Sequence, residues 1–183
     1  MYCVWWRPLR SAKLGAMFVA QRSLESSKPV AYRELNAQLA ALFADERDGL
    51  ANSANLAALL YELLPELNWA GCYFLKGDEL VLGPFQGRVA CVRIALGRGV
   101  CGTAARERRT IVVPDVHAFP GHIACDARSR SEIVVPLLDG DKLYGVLDLD
   151  SPLEARFDQD DALGLETAVQ LLLKHSDLSR LLG

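Results

Sequence analysis

Apolar residues recur at helical spacing over residues 31–43, at Leu35, Leu39, Leu42 and Phe43, and the pattern stops in the polar stretch 45–49. A second stripe, Leu56, Leu59, Leu60, Leu63 and Leu64, predicts another amphipathic helix, with Ser53 as its N-cap and Pro65 as its stop. The period then changes. WAGCYFL from Trp69 reads as a strand, Lys76-Gly77-Asp78 as a turn, ELVLGPF as the returning strand, and VACVRIA over 89–95 as a third strand carrying Cys91. GRGVCGTAARERR joins loop-forming glycines to a short helix after Gly99, and residues 110–113 form a short strand halted by Pro114. Residues 115–130 carry no period; irregular stretches longer than about 12 to 15 residues in a compact domain are usually functional. EIVVPLL and KLYGVLDLD flank Asp139-Gly140-Asp141 as a hairpin, and a last helix begins near Asp160 with Leu163, Val169, Leu171 and Leu172 on its apolar positions.

This order predicts an α+β fold: one antiparallel sheet with helices packed on one face and a loop-covered pocket on the other. Residues 1–27 show no steady period and are expected to be a poorly ordered N-terminal extension, leaving 28–183 as a single domain. Met17 could serve as an alternative start; otherwise Trp5 and Trp6 would pack against the core.

With 183 residues, 51% of them hydrophobic and 23% charged, the chain can bury one substantial core. A net charge of -3 gives no footprint for nucleic acid. No apolar run reaches the roughly 18 residues of a membrane span, and the start is too weak for a secretory signal, so a cytoplasmic protein with no membrane partner is expected. Cysteines are kept reduced there, and thiols among glycines point to catalysis, redox or metal rather than to staples.

Five cysteines are present, and three of them fall in the stretch that ends at Cys125. Cys91 and Cys101 are ten positions apart and Cys101 and Cys125 twenty-four, neither a CxxC nor a zinc-ribbon spacing. Cys72 is expected to be a small buried hydrophobe and Cys3 incidental. Cys91, on a strand, is either core or chemistry. Cys101 lies at a helix start, where the dipole favours a thiolate, and Cys125 lies in the irregular stretch. Metal binding would draw on these thiols with His117 and His122, but only His122 and Cys125 have ligand-pair spacing, so no metal or cofactor is expected. The other chemistry is redox, in which one thiol becomes a sulfenic acid and a second resolves it.

Carboxylates supply a second cluster. Asp148 and Asp150 share a strand face with Tyr144 and Val146, and if the turn centres on Gly140, Glu132 lies opposite Asp148. Three such acids repel one another, which raises at least one pKa and suits a proton, an ammonium or a metal. The alternative is a solvated strand end neutralised by Arg128 or Arg130.

Taken together, the NWAGCY strand, the GPFQG turn, GRGVCGTAA, FPGHIACDARSRSEIVVP and YGVLDLDS resemble the free methionine-(R)-sulfoxide reductases, small enzymes on the GAF fold, over roughly residues 31–176. The resemblance implies free methionine (R)-sulfoxide as substrate, Cys125 as nucleophile, Cys91 as the leading resolving thiol, and Cys101 forming or relaying a further disulfide. It also implies thioredoxin as reductant, Trp69 as the wall for the ε-methyl group with Tyr73 near it, and Glu132, Asp148 and Asp150 as the pocket acids. These roles have a chemical reason: a sulfoxide oxygen leaves only when protonated or strongly hydrogen-bonded, and a free amino acid brings an ammonium for a carboxylate to bind. The rival reading is a non-catalytic GAF regulatory domain that binds a small ligand and needs no cysteine. The sequence does not fix the assembly, and a homodimer is compatible with it.

Overall fold

The computed structural model describes Ala20 and residues 27–121 and 126–182. The expectations for the first nineteen residues, Trp5, Trp6 and Met17 among them, and for His122 and Cys125, lie outside the described residues.

Helix α1 (Lys28–Phe43) starts with a proline in its first turn, where a missing N–H costs nothing, and buries Tyr32, Leu35, Leu39 and Phe43. Helix α2 (Gly49–Leu63) is capped by Asp48, whose side chain accepts from the Ala51 N–H at 2.9 Å. The expected cap, Ser53, instead sits inside the helix with its hydroxyl donating to the Gly49 carbonyl. Asp48 takes the role because the helix begins at Gly49, well before Leu56, the first residue of the leucine stripe. Strands β1 (Trp69–Lys76), β2 (Glu79–Gly87), β3 (Arg93–Ala95), β4 (Ile111–Val113), β5 (Ser131–Asp139) and β6 (Lys142–Ser151) form one sheet in the order β3-β2-β1-β6-β5-β4, with every pairing antiparallel. Helix α3 (Gly99–Glu107) follows β3, and α4 (Gln159–His175) follows β6.

The strand alternation sorts the chain into two cores. Ala70, Cys72 and Phe74 of β1, with Leu147 and Leu149 of β6, pack under α1, α2 and α4; Trp69, Tyr73 and Val146 face the other side, where α3 lies. Cys72 is thus the buried hydrophobe expected of it, and burial first, then the charge of Asp148, pushes its thiol up to about 12. Leu163, assigned to the apolar face of α4, is exposed; Ala162, Leu165, Ala168, Val169 and Leu172 form the buried stripe.

Two differences from the expected sheet bear on the site. The third strand begins only at Arg93, so Cys91 is not on a strand: it sits half-buried in the connection from β2. In the β5–β6 hairpin Asp139 pairs with Lys142 across a two-residue turn, and a bulge interrupts the ladder between Leu137 and Leu138. Each device shifts the pairing by one, so Glu132 lies opposite Asp150 and Val134 opposite Asp148. A shift of two preserves the face, and the three acids stay together. Tyr144 does not join them. It falls at the bulge and turns to the helix-covered core, while Val146 remains on the pocket face. Gly145 makes this possible: its φ is +155°, and a Cβ there would lie 1.9 Å from the Tyr73 carbonyl oxygen.

Candidate active site

The pocket opens on the face away from α1, α2 and α4. Trp69 and Tyr73 of β1 line it from one side, Glu132, Asp148 and Asp150 of β5 and β6 form its floor, and Val100 and Cys101 of α3 close it from above. The space between them is narrow, about 30 Å³.

The aromatic wall follows from the register. Residues two apart on β1 share a face, and Gly71 between Trp69 and Tyr73 has no side chain to hold their rings apart. A Cβ on Gly71 would lie 2.4 Å from the Phe85 Cβ and 2.6 Å from the Trp69 ring. Trp69 therefore stacks on Phe85, centroids 5.4 Å apart, and on Tyr73 at 5.9 Å. Both polar tips are tied to the connection after β2: Trp69 Nε1 donates to the Arg88 carbonyl and Tyr73 OH to the Cys91 carbonyl, each at 3.1 Å. Cys91 is disulfide-bonded, whereas Cys72 and Cys101 are free thiols.

The acids are not the solvated strand end that spacing alone allowed. Glu132 and Asp148 are each only 6% exposed, and the arginines offered as their neutralisers are engaged elsewhere, Arg128 with Asp126 and Arg130 with Glu154. Burial comes first among the causes that hold both carboxyls well above the usual carboxylate range; the charge of Asp150 adds to it at Glu132, and the charges of Glu132 and then Asp150 at Asp148. The two share a hydrogen bond, so the pair retains a proton where ordinary carboxyls have lost theirs. One oxygen of Asp148, Oδ1, is buried with no hydrogen-bond partner.

Cys101 corrects an expectation. It does lie in the first turn of α3, yet its thiol is held well above its ordinary value, by burial and then by the charges of Asp148 and Glu132. Its Sγ is 3.9 Å from Glu132 Oε1. Desolvation and two nearby acids outweigh a helix terminus, whose effect rarely exceeds about 2 kcal/mol. Sγ of Cys101 and carboxylate oxygens of Glu132 and Asp148 all lie within 4.8 Å of one another, the one group among the described residues spaced to hold a metal ion. It is a different donor set from the thiols and histidines considered from sequence; His117 is exposed on a short 3₁₀ turn, away from the pocket.

Several residues in or beside the pocket carried no sequence signal. Asn68, just before β1, donates to Asp126 Oδ2 at 3.2 Å and to Ser129 Oγ at 2.9 Å, and its backbone N–H donates to the Asp150 carbonyl at 3.0 Å. It thereby ties the chain beyond residue 125 to the acid strand. Hydrogen bonds from Arg128 hold Asp126 far below the usual carboxylate range. Asp126, Ser129 and Arg98 also line the pocket. Asp-x-Arg at 126–128 is a local turn pattern that could have flagged the first of these.

A curved antiparallel sheet with helices behind it and a ligand-sized recess in front defines a class, and the family model for the GAF domain matches residues 30–173: the chain belongs to the GAF domain family. Within that family it groups with the free methionine-R-sulfoxide reductases. The protein of that name from Escherichia coli (strain K12) is 54% identical over 143 residues, 78% of this chain and 87% of the relative. Its namesake from Saccharomyces cerevisiae is 47% identical over 130 residues, 68% and 72% of the two chains. The X-ray structure of free methionine-R-sulfoxide reductase from Neisseria meningitidis in complex with its substrate superposes with a TM-score of 0.84 at 48% identity, covering 90% of this chain and 99% of that one.

Proposed function

We propose that the chain reduces free methionine (R)-sulfoxide to methionine through a thiol cycle. The Cys125 thiol attacks the sulfoxide sulfur; the oxygen passes to Cys125 as a sulfenic acid, and methionine leaves. Cys91 then attacks the sulfenic sulfur, releasing water and forming a Cys91–Cys125 disulfide. A dithiol reductant, thioredoxin, returns both thiols and is itself oxidised to a disulfide. Cys101 has the slower role of passing a disulfide onward, since burial among acids keeps it protonated and makes it the weaker nucleophile. Such a cycle suits the reducing cytoplasm.

The observation that carries this reading is the buried pair Glu132 and Asp148, whose carboxyls are raised by desolvation and by neighbouring negative charge, inside a pocket walled by Trp69 and Tyr73. A sulfoxide oxygen must be protonated or strongly hydrogen-bonded as its bond to sulfur weakens, and a buried carboxyl of raised pKa is an acid that can do this at neutral pH. The same floor, with Asp150, offers negative charge to the α-ammonium of a free amino acid. Trp69 offers an apolar surface to the methyl group.

Steady-state turnover with thioredoxin, thioredoxin reductase and the pure (R)-sulfoxide tests it. Wild type is expected to consume the sulfoxide and Cys125→Ser to lose all turnover. Ligand binding without turnover would support a regulatory domain instead.

A further inference from the structure

The connection from β2 to β3 presents apolar side chains to solvent around a disulfide. Among the described residues, Val89, 87% exposed, and Val92, 64% exposed, are the large hydrophobics most open to water. They flank Cys91, which is half-buried and disulfide-bonded. Single exposed hydrophobics are ordinary on a protein surface, but two on one short connection, either side of a disulfide sulfur, form a place for a partner. The backbone of this connection is pinned. The Arg88 carbonyl accepts from Trp69 Nε1 and the Cys91 carbonyl from Tyr73 OH, each at 3.1 Å, and the Val92 carbonyl accepts from the Leu82 N–H at 3.0 Å. Three anchors along five residues fix the path of the chain and leave both valines facing water. Exposed arginines, Arg88 and Arg93, bound the stretch, the second paired with Glu79 at 3.1 Å. An apolar centre between polar ends is the make-up of a protein–protein contact.

The sulfur decides what must reach this surface. A disulfide is opened by attack of a thiolate on one of its sulfurs, so the reductant has to come to rest beside the sulfur it attacks. Cys91 sits on this outward-facing connection, whereas the free thiols of Cys72 and Cys101 are buried. Val89 and Ala90 also line the recess, so the same few residues border both the substrate site and solvent. A small dithiol needs no apolar surface of this kind. A protein reductant gains from burying both valines as it brings its own thiol to Cys91.

We propose that residues 88–93 are the docking surface for the protein reductant, a dithiol protein of the thioredoxin class whose reactive thiol is ringed by apolar residues, with Val89 and Val92 buried in the contact and Cys91 as the sulfur attacked. This deepens the proposed function and rests on it. The partner's thiolate attacks Cys91 Sγ, the Cys91–Cys125 bond breaks, and Cys125 leaves with the electron pair as a thiolate. The partner's second thiolate then attacks the partner's own sulfur in the mixed disulfide, and Cys91 leaves in turn. The two released thiolates take up the protons that the partner's two thiols gave up, and the partner ends as a disulfide. Cys125, the nucleophile, is set free first.

The test uses the full-length chain with Val92→Asp and the milder Val92→Ser, since Val92, unlike Val89, does not line the recess. Methionine formed in a single turnover of reduced chain, and steady-state turnover with dithiothreitol, are expected to match wild type in both variants. With thioredoxin as reductant, Val92→Asp is expected to lower kcat/KM for thioredoxin by about tenfold, with the loss in KM, and Val92→Ser to lower it less. Thioredoxin whose second active-site cysteine is replaced by serine is expected to stop as a mixed disulfide with Cys91, read by peptide mass mapping. A thioredoxin kcat/KM within about twofold of wild type in both variants overturns the proposal, as does an equal loss with thioredoxin and dithiothreitol, or trapping at Cys125 instead. A wild-type dimer that Val92→Asp splits in sedimentation gives the surface to a second copy and overturns it too. If dithiothreitol recycles the wild type and thioredoxin does not, this inference falls while the thiol cycle stands. If no methionine forms even in the single turnover, the proposed function falls with it.

Discussion

Asp148 keeps a buried carboxyl between Glu132 and Cys101, raised in pKa by desolvation first and by the neighbouring acids second. In the proposed mechanism its protonated form is the one that serves the sulfoxide oxygen. Asp148→Asn is therefore expected to slow single-turnover methionine formation by about a hundredfold or more, read by rapid quench, because general acid catalysis contributes about 10² to 10⁴. A rate within threefold of wild type would remove Asp148 from the chemistry. The grouping of the acids was legible in sequence because alternation along VLDLDS, which holds Asp148 and Asp150, is unbroken and a register error of two does not change the face. Tyr144 was misplaced because one extra residue at a bulge changes its face, and the bulge leaves no mark except Gly145. Cys91 was misplaced for another reason: VACVRIA has strand composition throughout, yet β2 pairs with β3 only from Arg93 onward. The pKa of Cys101 could not be read at all, since its acid neighbours come from strands more than thirty positions away.

At the scale of elements, the pocket depends on how the helices behind the sheet hold β1 and β6 in place. Asp161 of α4, fully buried, accepts from Tyr32 OH at 2.9 Å and Arg156 Nη1 at 3.0 Å and pairs with Lys28, joining the start of α1 to the start of α4. Arg156 also reaches the Pro65 carbonyl just before β1. Asp161→Ala would strand these partners and is expected to cost about 3 to 5 kcal/mol in urea unfolding; a cost below about 1 kcal/mol would show the network to be dispensable. The bulge carries a second expectation. Gly145→Ala must push a Cβ into the Tyr73 carbonyl, so it should lower stability by about 1 to 3 kcal/mol and weaken substrate binding by displacing Tyr73. Unchanged stability and unchanged KM would contradict that. The helices were legible because leucine stripes are long and periodic, and only the α2 cap and Leu163 were misassigned. The long-range ion network was not, since residues 28, 156 and 161 are joined only by tertiary contact.

Across the whole molecule, the acid pair couples pH to stability with a definite sign. Glu132 and Asp148 titrate higher in the native chain than in the unfolded one, where values near about 4 hold. Between those limits the native state binds more protons, so this contribution to stability is largest below about pH 4 and is lost as pH rises toward the native pKa values. Asp126, Asp158 and Asp177 are shifted downward and act oppositely in acid, so the pair is isolated by difference: relative to wild type, Asp148→Asn should become more stable as pH increases above about 4. Parallel curves in pH-dependent thermal unfolding would deny the coupling. In the proposed mechanism the proton of this pair and a thiol together remove the sulfoxide oxygen. Mixing fully reduced chain with one equivalent of free methionine (R)-sulfoxide, without reductant, tests it most directly, by counting methionine formed and thiols lost and by mapping the linkage. One methionine per two thiols, with Cys91 joined to Cys125, is the expected result; unchanged thiols with the sulfoxide intact would contradict it.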